Sequence, residues 1–252
     1  MLDPDEEFGV AQRFGVARAQ VRRDHLISHL LAALSEHVAE QVVFFGGTAL
    51  SRSFVPEGRL SEDIDLIAVG RRRDVVSAVE QCLVRGTRRE YPGLRWRQRL
   101  SEVRDVEPAL LTAPDGTTVR VQLLNPVGYP AWPTAPRALD QRYSDAPPAT
   151  LVIPALESFV AWKTVAWLDR AASRDLYDLW SLARLGAIDH NSATLFARHG
   201  PTNKPPAPAM FATAPEEAEW RRDLSEQTQL HVTAAEALAT VRDAWRDAVT
   251  TS

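Results

Sequence analysis

The sequence predicts an α+β protein: a mixed-sheet domain with a leading helix over residues 1–150, then a helical domain over residues 151–252. Three observations predict it. An apolar run, Gln41–Phe45, stops at Gly46-Gly47 and passes into a helix-like pattern. Alternating, β-prone segments recur between residues 63 and 124, with Asp115-Gly116 as a tight hairpin turn. From Pro154 onward the apolar spacing becomes helical. The pattern is a mixed sheet with an antiparallel portion, not a series of βαβ repeats.

The elements follow in order. A helix is expected over Val10–His37, with Val21, Leu26, Ile27, Leu30, Leu31 and Leu34 on its apolar face; its length predicts two segments. Val42, Val43, Phe44 and Phe45 make a buried strand. Gly46 and Gly47 allow a sharp turn, and Thr48 is placed to cap a short helix through Ala49, Leu50, Ser51 and Phe54. Asp63–Val69 reads as a strand and Arg73–Val84 as a helix, with Cys82 on its packed side. Strands are expected at Leu94–Leu100, Val106–Thr112 and Thr117–Leu124. The proline- and aromatic-rich stretch Asn125–Pro148 is expected to be a loop that leaves the sheet, and Pro154 to sit in a first helical turn. Pro201–Pro215 is a second break, and Glu216–Val249 reads as two amphipathic helices.

Composition bounds the function. With 252 residues and 45% hydrophobic content, the chain can bury a large core. Its net charge of -4 lacks the overall signature of a nucleic-acid binder, so any such surface is local. Two arginine groups stand out: Arg71-Arg72-Arg73, and Arg85, Arg88, Arg89, Arg95, Arg97 and Arg99. Each reads equally as a solvated face or as a surface for RNA phosphates. One cysteine excludes an intrachain disulfide and a cysteine-based zinc site. No apolar run is long enough for a membrane helix, and the acidic start is unlike a signal peptide, so a cytoplasmic protein is expected.

The chemistry concentrates in Phe44-Phe45-Gly46-Gly47-Thr48-Ala49-Leu50-Ser51 and Arg59-Leu60-Ser61-Glu62-Asp63-Ile64-Asp65-Leu66. A glycine turn into a helix start presents unpaired N–H groups, which attract phosphate. Asp63 and Asp65 lie two apart on a strand, so they share a face at about 6.8 Å between Cα atoms. Two carboxylates so placed repel unless water or a cation lies between them. Magnesium takes one or two carboxylates plus substrate phosphates. The combination points to a nucleoside triphosphate held beside Mg2+, with Mn2+ as the alternative ion.

A second constellation lies in the helical half: Lys163, Arg170, Arg174, Asp175 and Asp178. Lys163 sits among Phe159, Val160, Trp162 and Val165, where a lysine either snorkels to water or reaches an anion. Ser173 is placed to cap a helix whose first turn holds Asp175. Asp178 can pair with Arg174 at i, i+4 or serve in chemistry.

Taken together, these residues resemble the AbiEii/AbiGii toxin family, a branch of the DNA polymerase β-like nucleotidyltransferases. The resemblance is carried by Phe45–Ser51, Arg59–Leu66, Lys163 and Arg174-Asp175-Leu176-Tyr177-Asp178-Leu179, with Arg23–Leu34 as the leading helix, and covers about Val21 to Leu185. It implies a nucleotidyltransferase sheet joined to a helical part. It also implies a toxin of a type IV toxin–antitoxin or abortive-infection system with a separately encoded antitoxin. Some members, the mycobacterial Men toxins among them, transfer a nucleotide to the 3′ end of tRNA and stop translation. Carried over, the family pattern assigns Gly46, Gly47, Thr48, Ser51 and Arg59 to the nucleotide and Asp63 and Asp65 to the metal. Lys163 would neutralise the triphosphate, and Asp178 would act as acid or base.

One position departs from the pattern. Superfamily members often carry a third carboxylate on the strand beside Asp-x-Asp; here that strand is Thr118–Leu124, and Gln122 stands in its place. Glutamine can offer a carbonyl to a metal but cannot act as a base. Glu107 is a weaker substitute. Two alternatives therefore accompany the main reading: a catalytically weak fold that binds nucleotide or a partner, and a transferase acting on a protein or small-molecule hydroxyl.

Overall fold

Gly15 separates the first two helices. Its φ of 65° is left-handed, and its N–H closes the end of α1 (Pro4–Phe14) on the Ala11 and Gln12 carbonyls. α2 (Arg18–His37) follows. The leading helix is thus two segments, but the first begins at Pro4 rather than Val10. Asp3 caps it by accepting from the Asp5 N–H at 2.8 Å, and Asp5, Glu6 and Glu7 complement the helix dipole. Those acidic residues carry no apolar period, so the hydrophobic pattern missed them.

The computed structural model describes residues 2–250. They divide into two compact units, the first comprising Met1–Tyr129 and Thr134–Pro154 and the second Pro130–Pro133 and Ala155–Ser252.

The first unit holds the sheet. Its elements are β1 (Val42–Phe45), α3 (Gly46–Ser51), β2 (Asp63–Ala68), α4 (Arg72–Gly86), β3 (Arg95–Gln98), β4 (Ala109–Thr112), β5 (Thr118–Leu124), β6 (Thr134–Ala138) and β7 (Thr150–Pro154). They form one mixed seven-stranded sheet in the order β3-β4-β5-β2-β1-β7-β6. β1 runs antiparallel to β2, and β2 runs parallel to β5. Ile64, Leu66 and Ala68 of β2 and Val119, Val121 and Leu123 of β5 are buried on the face that α2 and α4 cover. The Asp115-Gly116 turn joins β4 to β5 as expected, with the Gly116 N–H on the Ala113 carbonyl at 3.0 Å.

The stretch Asn125–Pro148 does not simply leave the sheet. It returns as β6, which pairs antiparallel with β7 at the edge. All five β6 residues are exposed, so no alternation marks the strand, and Pro136 is tolerated because an edge strand need not donate on its outer side. Pro154 ends β7 instead of opening a helix; the next helix starts at Leu156.

The second unit is helical: α5 (Leu156–Arg170), α6 (Ser173–Arg184), α7 (His190–His199), α8 (Glu217–Leu224) and α9 (Ala234–Thr250). Its core includes Phe196, Phe211, Trp220 and Trp245, all fully buried. The Trp220 indole N–H donates to the Val232 carbonyl at 2.9 Å, so burying the ring leaves no donor unpaired. Among the described residues, no helix is long and apolar enough to cross a membrane.

Candidate active site

Asp63, Asp65 and Ile67 occupy the β2 face opposite the buried one. The parallel register places Arg120 of β5 beside Asp63, and Gln122 beside Asp65. Gln122 therefore stands where the third carboxylate was expected. Asp63 accepts from Arg120 Nε at 2.7 Å and from Nη2 at 2.8 Å. This two-pronged pair is the strong geometry for a guanidinium and a carboxylate, and the hydrogen bonds raise the Arg120 pKa above its ordinary value. A cation thus sits at Asp63, but it is a side chain. The Gln122 amide donates to the Asp105 carbonyl at 3.3 Å.

The glycine turn is shaped against the same carboxylates. Gly46 has a φ of 81°, and a Cβ there would lie 2.2 Å from Asp65 Oδ2. Only glycine lets the backbone come that close. A Cβ on Gly47 would lie 2.5 Å from Arg59 Nη2, so the buried Arg59 guanidinium lies directly against the turn.

One expectation changes here. α3 begins at Gly46 with Phe45 as its cap residue, so Thr48 lies inside the helix and does not cap it. Its hydroxyl instead donates to the Asp63 carbonyl, tying the turn to β2. The Ser51 hydroxyl donates to the Thr48 carbonyl at 3.2 Å. Both hydroxyls are buried and bonded within the protein.

The far end of α3 is braced from behind. Buried Arg52 pairs with buried Asp24 at 2.8 Å, and Tyr143 donates to Asp24 at 3.0 Å. Arg142 reaches the Ser51 carbonyl at 2.8 Å. Burial and the neighbouring Arg142 lower Arg52 to about 10, which still leaves it charged at neutral pH.

In the second unit, Lys163 does not snorkel. Its ammonium is buried and meets Asp178 at 2.6 Å and Asp175 at 3.3 Å. Arg170 adds two hydrogen bonds to Asp175, at 2.6 and 3.0 Å. Burial opposes ionisation of Asp175, but the charges and hydrogen bonds of Lys163 and Arg170 outweigh it and hold its pKa below the usual carboxylate value. Ala172, not Ser173, is the cap residue of α6; the Ser173 hydroxyl donates to Asp223 at 3.1 Å.

The structure thus brings Gly46, Gly47, Thr48, Arg59, Asp63 and Asp65 together in the first unit. It brings Lys163 and Asp178 together in the second. Glu107 does not lie on a strand, because β4 begins at Ala109; it pairs with Arg104 at 2.6 Å. Arg72 leaves the basic patch and donates to the Leu123 and Leu100 carbonyls at 2.7 and 2.6 Å. Arg85, Arg88, Arg89, Arg95, Arg97 and Arg99 are all exposed. Sequence reasoning missed Arg120. Its position two residues before Gln122 puts it on the carboxylate face, but only once β5 is known to pair with β2.

Comparisons with known proteins identify the family and the fold. The family model described as "Nucleotidyl transferase AbiEii toxin, Type IV TA system" matches residues 29–250. No curated protein matches. The structure of MenT4, a nucleotidyltransferase toxin from Mycobacterium tuberculosis H37Rv, superposes with a TM-score of 0.68 at 24% identity. That match covers 95% of this chain and 88% of MenT4. A candidate nucleotidyltransferase from H. pylori superposes with a TM-score of 0.56 at 16% identity, covering 94% of this chain and 99% of that one. These likenesses establish the nucleotidyltransferase fold, and the family match establishes more. The chain belongs to the AbiEii nucleotidyltransferase toxin family of type IV toxin–antitoxin systems.

Proposed function

We propose that this toxin transfers a nucleotide from an NTP to the 3′ end of tRNA, with Mg2+ held by Asp63 and Asp65. Family membership itself implies an NTP and a companion antitoxin. The observation that carries the metal reading is the shared β2 face of Asp63 and Asp65, with Gly46 pressed beneath the Asp65 carboxylate. The donors are hard oxygens, which suit magnesium. When bound, Mg2+ would neutralise the triphosphate and favour ionisation of the acceptor hydroxyl.

The residues of the chain do the rest. Gly46 and Gly47 let the turn lie close against Asp65 and Arg59, and Arg59 places a positive charge beside the N–H groups that would meet phosphate. Thr48 and Ser51 shape that turn through their internal hydrogen bonds. Arg120 orients Asp63 through its two hydrogen bonds. The acceptor oxygen attacks the α-phosphorus, the bond to the β-phosphate breaks, and pyrophosphate leaves. The family resemblance assigns Lys163 to charge neutralisation and Asp178 to the hydroxyl proton; the two pair with each other at 2.6 Å, so these roles require that pair to open. The exposed arginines from Arg85 to Arg99 suit RNA phosphates.

A second reading has a specific observation behind it. Gln122 replaces the third acid and Arg120 already neutralises Asp63, which would suit a nucleotide-binding module with weak catalysis. Incubation with each labelled NTP, total tRNA and Mg2+ separates the readings. The proposal expects an RNase-sensitive product labelled at its 3′ end, absent with Asp65→Asn. NTP binding without any product supports the binding module. A labelled product resistant to RNase points to a protein or small-molecule acceptor.

A further inference from the structure

α2 carries two buried histidines, His25 and His29, one turn apart and therefore on one face. Asp145, in the segment between β6 and β7, reaches the same point. Its Oδ1 lies 3.0 Å from His25 Nε2 and 3.6 Å from His29 Nε2. The two Nε2 atoms are 3.4 Å apart. Three donor atoms therefore make a triangle with sides of 3.0, 3.4 and 3.6 Å. A tetrahedral zinc ion with ordinary bonds to nitrogen and oxygen has ligand–ligand edges of about 3.3 Å. Each of these atoms can present a lone pair to a common point.

The surroundings have the features of a zinc centre. The other ring nitrogen of His25, Nδ1, is hydrogen-bonded to the Tyr91 hydroxyl, which fixes the ring and leaves Nε2 for the shared point. The Tyr143 ring packs edge-on against His25 at 4.9 Å between centroids. Nitrogen ligands make the set softer than the all-oxygen environment magnesium prefers, so it differs in kind from the Asp63–Asp65 face.

We propose that His25, His29 and Asp145 form a zinc-binding site, with the fourth position taken by water or a further donor. Its role is that of a clasp. The chain segment that supplies Asp145 also supplies Arg142 and Tyr143, which hold Asp24 and the Ser51 carbonyl at the end of α3. Zinc would fasten that segment to α2 and so stiffen the support behind the glycine turn. Zinc here does not take part in nucleotide transfer, and the site stands whether or not tRNA is the acceptor.

The test uses the full chain, stripped with a chelator and titrated with Co2+ alone. We expect one equivalent to give the visible absorption of tetrahedral cobalt, and Zn2+ to abolish it. Zn2+, but not Mg2+, should raise the melting temperature. Asp145→Asn should weaken Co2+ binding at least tenfold, and Tyr91→Phe about tenfold through loss of the hydrogen bond that orients His25. Asp145 is partly exposed, so its variant should fold; a circular dichroism spectrum like that of the parent verifies this. Absence of cobalt absorption in the parent chain, or binding undiminished in Asp145→Asn, overturns the proposal. Neither readout depends on nucleotide transfer, so loss of the transferase reading would leave this result untouched.

Discussion

Asp63 meets a guanidinium on a half-exposed strand face, whereas Asp175 meets Lys163 and Arg170 with no exposure at all. Both are aspartates in two-pronged arginine pairs, but the consequences differ. Water can replace Arg120 at Asp63, so the pair costs little to open, and the carboxylate is available to a metal. Nothing so cheap replaces Lys163 or Arg170 at Asp175, where an uncompensated buried charge is strongly unfavourable. The first arrangement suits exchange of cations; the second suits permanence. The same residue types therefore make a pair that opens cheaply at Asp63 and a lasting one at Asp175.

The largest test of this contrast is on activity. Asp65→Asn keeps the shape and removes the charge at the residue that contacts Gly46. Transfer should fall on the order of 1,000-fold, equivalent to about 4 kcal/mol of lost stabilisation. Stability should change by less than about 1 kcal/mol, as for other surface substitutions. A quantitative transfer assay beside a urea melt measures both. A variant that keeps more than a tenth of the activity removes Asp65 from the metal site.

The second unit should answer in the opposite currency, with stability first. Asp175→Ala leaves the buried Lys163 with Asp178 alone, and should destabilise by about 3 kcal/mol, the low end for a broken buried pair. The drop in urea midpoint reports it. A loss under about 1 kcal/mol would mean that the clamp is no more than a surface ion pair.

These tests bear on what the sequence could reveal. The Gly46-Gly47 turn and the Asp63–Asp65 strand were legible because both are local: glycine marks the turn, and period two fixes the shared face. The seven-stranded sheet was legible only in part. β5 announces itself by alternation, but β6 has no buried residue to alternate, and its proline argued against a strand. Arg120 was invisible as a partner of Asp63 because a parallel register is a property of distant segments. Lys163 stands out in the sequence as a lysine among apolar neighbours, but its partners Asp175 and Asp178 lie on the next helix and are not legible from its own. His25 and His29 lie one turn apart within an apolar helix pattern, which by itself points to no ligand. Only the fold brings Asp145 to them across 120 residues.

Acid should separate the units by pH. Burial lowers the His25 and His29 pKa values below the usual 6.5, with nearby Asp145 opposing, so the unfolded chain binds protons more readily at these positions. Their contribution in chelator-treated protein is complete above pH 6.5 and is lost as pH falls through the lowered folded values. Asp175 is depressed from 3.8, so its contribution is present above that value and is lost only as pH falls through its lower folded value. Denaturant melts as a function of pH should show a first decline starting near 6.5, reduced but not removed by His29→Gln, which leaves the share of His25. A second decline should start near 3.8 and be removed by Asp175→Ala. A first decline undiminished in His29→Gln assigns it to groups other than His29.

The smallest expected effect is the most discriminating for the exposed pair. Arg120→Gln removes the guanidinium that occupies Asp63 and keeps a polar side chain on the strand. Half-exposed ion pairs contribute under about 1 kcal/mol, so the melt should scarcely move. If Arg120 only keeps the place of a cation, its removal frees Asp63, and the Mg2+ concentration needed for half-maximal transfer should fall by about two- to fivefold, within the ~1 kcal/mol of a surface pair. The maximal rate should stay within about twofold. A tenfold loss of rate at saturating Mg2+ would reverse the reading: Arg120 would then contact the triphosphate itself, and the pairing with Asp63 would be its resting position.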